Sequence, residues 1–130
     1  MSAILREPMI DWASLAQQLD ADGEFRLAAR HWTATLRLDI GDESHAIRLE
    51  DGRVRDIAAC HAARDCDVFI AAGRDTWQQM LQPVPRPFYQ DLLAAAAHHG
   101  VVLNADLLEI AAYYPVLRRL VEILRESRDQ

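Results

Sequence analysis

His45 and Asp56 are the residues in this chain whose types and spacing come closest to acid–base chemistry. Both fall in runs that alternate apolar and polar residues, and in the register those runs suggest, Asp56 lands on the apolar side opposite Ile47. His45 then sits diagonally from it, roughly 7–8 Å away by sheet geometry. A carboxylate against an apolar wall has its pKa raised, so the pair could trade a proton with a substrate. The same geometry could instead anchor the head group of a bound acid or alcohol. The plainer reading is that the strands end there, or that a bulge near Arg55 turns Ile57 inward and Asp56 outward to a solvated rim.

Cys60-His61 followed by Cys66 offers thiolate and imidazole, the ligands zinc prefers, but only three of the four a closed site needs. His31 or His45 could complete the set only through folding, and there is no paired CxxC signal. No metal is expected. A nucleophilic centre would need Ser, Cys or Thr held against a base, and no G-x-S-x-G occurs. Ser14, Ser44 and Ser127 sit where turns and helix ends explain them, and adjacent residues such as Cys60 and His61 point apart in an extended segment. No residue is assigned a catalytic role, and no cofactor is implied.

The elements that would position these residues begin with a meander from Trp32 to Ile57. Trp32, Ala34, Leu36, Leu38 and Ile40 point one way while Thr33, Thr35, Arg37 and Asp39 point the other, the period of a half-buried strand. A turn around Gly41, Asp42 and Glu43 brings Leu38 opposite Ile47 and Leu36 opposite Leu49. Asp51-Gly52 suits a two-residue hairpin turn and sets Leu49 opposite Val54. Cys66, Val68 and Ile70 begin a fourth strand that ends at Ala71-Ala72-Gly73, and Val101–Leu103 makes a short fifth.

Helices flank the sheet. One starts near Asp11 with Trp12, Leu15, Ala16 and Leu19 on a face and Gly23 as its stop. Asp75 caps another through Leu81, and three prolines between Gln82 and Pro87 enforce a loop. Pro87 opens a further helix through Phe88 and Leu92 to His98-His99, ended by Gly100. Asp106 with Glu109 has capping-box spacing, and Tyr113-Tyr114-Pro115 breaks or restarts the last helix. There Leu117, Leu120, Val121 and Leu124 form the core stripe, leaving Arg118, Arg119, Arg125 and Glu126 to water. The expected fold is α+β: a five-stranded, mostly antiparallel sheet with helices on one face.

The 130 residues have room for one domain spanning 1–130, with 1–9 and 126–130 expected to fray. No apolar run approaches the roughly 18 residues of a membrane span. MSAILREPMIDW lacks the pattern of a secretory signal, so a cytoplasmic setting and free thiols are expected. The net charge of −6, with scattered Arg residues, argues against nucleic acid as a partner.

The runs IRLEDGRVRDI, CDVFIAA, RDTWQQMLQP and GVVLNAD, in this order from Trp12 to Leu124, resemble the sterol carrier protein type 2 family of small lipid-binding domains. The resemblance departs at the proline-rich loop Gln82 to Pro87, where the family usually has a glycine-containing turn, and the alanines after it could fill space that the family leaves open. The resemblance implies a non-enzymatic carrier with an elongated apolar cavity for a fatty-acyl or sterol-like molecule. Leu36, Leu38, Ile47, Leu49, Val54, Val68 and Ile70 would be the floor of that cavity, and Trp77, Phe88, Leu103, Leu117 and Leu120 its walls. His45 and Asp56 would mark a polar end. A small cone-type isomerase or dehydratase using His45 and Asp56, and a cavity-less interaction module whose helical face pairs with itself, as a homodimer, or with another protein, are the alternatives.

Overall fold

A computed structural model describes residues 9–60 and 66–128 of the chain. Of the ends expected to fray, 1–9 and 126–130, residues 1–8 and 129–130 lie outside them, as does His61 of the Cys-His grouping, whereas Met9 is buried and residues 126–128 belong to the last helix. The elements in chain order are α1 (Trp12–Ala21), α2 (Gly23–Ala29), β1 (Ala34–Ile40), β2 (Glu43–Glu50) and β3 (Arg53–Ala59), followed by β4 (Val68–Ala72), α3 (Arg74–Met80), α4 (Leu92–His98), β5 (Val102–Ala105) and α5 (Leu107–Arg128).

The five strands form one sheet in the order β3-β2-β1-β4-β5. All neighbours are antiparallel except β1 and β4. Alternation holds along the meander: Ala34, Leu36, Leu38, Ile40, Ile47 and Leu49 are all buried, together with Val68 and Ile70 of β4. The helices cover this inner face. α1 lies against β3, α4 against β5, and α5 packs on α1 and α2.

The β1–β2 register differs from the expected one by two residues. Ile40 pairs with Glu43, so Gly41-Asp42 is a two-residue turn, and Leu36 faces Ile47 while Leu38 faces His45. A shift of two keeps every side chain on its face, so the apolar wall is unchanged. Asp51-Gly52 is the positive-φ hairpin turn expected, at φ 50° and 79°.

Gly23 does not end the helical region. The Asp22 side chain accepts a 2.7 Å hydrogen bond from the Phe25 N–H, starts α2, and sends Phe25 and Ala29 into the core. Pro87 does not open α4 either. The Asp91 carboxylate caps that helix by accepting from the Ala94 N–H at 3.2 Å, and Phe88 stays in the connecting loop. Pro115 neither breaks nor restarts α5, which runs unbroken through Arg128. Proline removes one backbone donor, and the turn preceding it is exposed at Ala111 and Ala112, where water can satisfy the freed carbonyl.

Candidate functional site

β1 supplies Leu36 and Leu38, β2 Ile47 and Leu49, β4 Val68 and Ile70 to one continuous apolar layer, because alternate residues of neighbouring strands share a face. Val54 of β3 and Leu103 of β5 extend it half-buried at the two edges. From above, Trp77 of α3 and Leu117 and Leu120 of α5 close on the layer, each at 0% exposure. Trp77 is held there by donating its indole N–H to the Asp39 carbonyl at 2.9 Å. Leu36, Leu38, Ile47 and Ile70 are also at 0% exposure, so in this state these central side chains touch protein on every side.

Phe88 is not a wall of this layer. It is 45% exposed with φ 69°, and its ring stacks on His98 at 3.9 Å. The loop places it there because α4 starts only at Leu92.

His45 is on the inner face, at the end of the sheet beside the Gly41-Asp42 turn. Its ring lies flat on Trp12 of α1, centroids 4.0 Å apart. Burial holds its pKa below the ordinary histidine value, partly offset by Glu43, and its Nδ1 is buried without a hydrogen-bond partner. Asp56 is on the opposite face. An irregularity between Arg48 and Leu49 places Val54 against Leu49 and Asp56 against Arg48, so Arg55 is the extra residue and Ile57 turns inward against Ile47. Asp56 takes a two-pronged pair from Arg48, at 2.9 and 2.8 Å. The His45–Asp56 pair does not form: the bulge near Arg55, the plainer reading of the sequence, turns Asp56 outward and Ile57 inward, and the imidazole remains on the inner wall.

Several polar contacts that tie the elements together gave no clear sequence signal. Arg119, expected in water, is a hub: it donates to both oxygens of Asp22 at 3.0 and 2.8 Å and also reaches Glu122 and Glu126. The Asp22 carboxyl is thereby lowered below its usual range. Arg125 is turned back to the Met80 carbonyl at 3.0 and 2.9 Å, whereas Arg118 and Glu126 are exposed as expected. Trp32 stacks on Tyr113 at 4.3 Å and donates to Glu109 at 3.0 Å, tying the first turns of α5 to the start of β1. The i, i+3 spacing of Arg119 and Glu122 was the available clue to the hub; partners 97 positions away, as Asp22 is, leave no local trace.

On the outer face Arg37 is 7% exposed, paired with Asp39, hydrogen-bonded to Ser44 and set over the Phe69 ring. Cys60 and Cys66 are free, half-buried thiols. Among the described residues no group of three or more His, Cys, Asp or Glu could hold a metal ion, and no helix is long and apolar enough to cross a membrane.

No family model matches the chain, and no curated protein sequence matches it. Solved structures do. Sterol carrier protein 2 superposes with a TM-score of 0.72 at 24% identity, over 91% of this chain and 96% of that one. A conserved hypothetical protein from Thermus thermophilus, described in connection with sterol carrier protein, gives 0.71 at 23% identity over 93% and 90%. A ubiquinone synthesis protein described as UbiJ-SCP2 gives 0.56 at 16% identity over 92% and 88%. These superpositions, over nine-tenths of this chain, give it the fold of sterol carrier protein 2.

Proposed function

We propose that this chain binds and carries an elongated apolar molecule of the fatty-acyl or sterol-like class, between the inner face of the sheet and the helices. The observation that carries this reading is the match to sterol carrier protein 2 along nearly the whole of both chains. It is an argument from likeness of fold, and the continuous apolar layer supports it chemically. Leu36, Leu38, Ile47, Leu49, Val54, Val68, Ile70 and Leu103 are the proposed contacts on the sheet side, with Trp77, Leu117 and Leu120 opposite.

Because those side chains are packed against one another in the state described, a guest must replace protein–protein contacts with its own. That exchange is favourable when the guest brings its own apolar area out of water, at roughly 25 cal/mol per Å² before the costs of association. His45 is proposed as the polar end of the site. A neutral imidazole can meet a carboxylic acid or hydroxyl head group without the penalty of burying a second charge.

Titration with a fluorescent fatty acid tests this. Saturable binding that weakens on Ile47→Asp and Ile70→Asp variants, each shown by circular dichroism to be folded, is expected. Absence of saturable uptake of fatty-acid and sterol probes by the unmodified protein would contradict it.

A further inference from the structure

The chain between α3 and β5, from Gln82 to His99, is attached to the rest of the domain through few buried side chains. Only Leu92 and Ala95 are buried in it, whereas α5 buries six residues between Val116 and Leu124. Three prolines keep its first part from folding into a helix. Its surroundings at the two ends differ. Before it, Trp77 and Met80 anchor α3 at 0% exposure. After it comes Gly100 at φ 72°, a left-handed conformation that glycine adopts without strain, with no atom within 4 Å of where a Cβ would stand.

Within itself the segment is stapled. Phe88 stacks on His98 at 3.9 Å and Tyr89 on His99 at 3.7 Å, while the His99 Nε2 is 3.1 Å from the Pro87 carbonyl. These contacts join the loop to α4. Its polar attachments to the rest are concentrated on two side chains of α5. The Tyr114 hydroxyl donates to Asp91 and accepts from the Leu93 N–H at 3.2 Å, and burial together with Asp91 pushes the Tyr114 hydroxyl's pKa upward, keeping it a donor. The Arg125 guanidinium lies 3.4 Å from the Gln90 carbonyl.

We propose that Gln82–His99 is a hinged lid, latched to α5 by Tyr114 and Arg125, that opens over the β4–β5 side of the sheet to admit the apolar guest. The proposal rests on the carrier reading above. It would let a guest reach the central side chains Leu36, Leu38, Ile47 and Ile70, which are fully shielded. α4 lies on β5, the neighbour of β4, so lifting it uncovers the side that presents Ile70 and Leu103. A segment with little buried apolar surface is the one whose local opening is most populated.

The test compares rates of uptake of a fluorescent polyene fatty acid by stopped flow. Tyr114→Phe, which keeps the ring and removes the latch, is expected to load about three- to tenfold faster, the range for losing one hydrogen bond. In a Cys60→Ser, Cys66→Ser background, Asp91→Cys with Tyr114→Cys joined by a short bismaleimide is expected to load at least tenfold slower than the same protein left uncoupled, with equal affinity at long times. Equal loading rates with and without the linker would overturn the lid while leaving the carrier reading standing. If the unmodified protein takes up no probe at equilibrium, the carrier reading and the lid fall together.

Discussion

Trp12 and His45 lie face to face across the α1–β2 contact, their planes 11° from parallel. This stack puts an imidazole on a wall that is otherwise apolar. Burial keeps it neutral, and neutrality has a consequence for acid stability.

The folded His45 has a pKa below 6.5, the ordinary value for the unfolded chain. As the pH falls below that value the unfolded state takes up a proton that the folded state refuses. Stability is therefore full above it and declines toward the lower folded pKa, by at most about 1.4 kcal/mol per pH unit. Urea unfolding of wild type and His45→Leu between neutral and mildly acid pH checks this. The variant is expected to lose the slope this residue contributes, and at neutral pH to differ from wild type by no more than about 1 kcal/mol, because a stack is lost while an unpaired buried nitrogen is removed.

Asp22 holds two elements at once, the first turn of α2 and the middle of α5. Asp22→Ala removes a helix cap and a charge-assisted pair and is expected to cost about 2–3 kcal/mol by chemical denaturation. Its depressed carboxyl adds a second signature. Stability from this pair is present above the unfolded value of 3.8 and is lost as the pH falls through the folded one. Arg119→Met is expected to flatten that acid limb.

Gly52 sits at φ 79°, and a Cβ there would stand 2.8 Å from the Ala29 carbonyl oxygen and 2.9 Å from the Arg30 Cα. These are backbone atoms that cannot swing away, so Gly52→Ala is expected to destabilise the domain by about 2–3 kcal/mol. Gly23→Ala is the matched control. Nothing lies within 4 Å of its Cβ and it sits at the start of α2, so a change between neutral and about 1 kcal/mol stabilising is expected from thermal melts.

The strands were legible because a half-buried strand writes its faces into the sequence every second residue, and Asp51-Gly52 names its own turn. Their register was less so. The two-residue turn at Gly41-Asp42 reads as longer in the sequence, which displaces Leu38 from His45 to Ile47 while sparing the face. The bulge at Arg55 decided the fate of Asp56: one extra residue sent the carboxylate to Arg48 and dissolved the pair on which an acid–base reading depends. Helix ends misled where one residue type serves two purposes. Gly23 and Pro87 read as stop and start, yet the carboxylates of Asp22 and Asp91 do the starting. Pro115 reads as a break, but an exposed turn tolerates it. Long-range polar contacts such as Arg119 with Asp22, and the latch of Tyr114 on Asp91, have no sequence period at all and became visible only once the elements were packed.

The carrier reading stands or falls on whether the layer between sheet and helices accepts an apolar guest. Native mass spectrometry of the purified protein, before and after organic extraction and again after incubation with a fatty acid, measures this directly. One added mass per chain, removed by extraction and restored by incubation, is expected. A mass equal to that of the bare chain under all three conditions would contradict it.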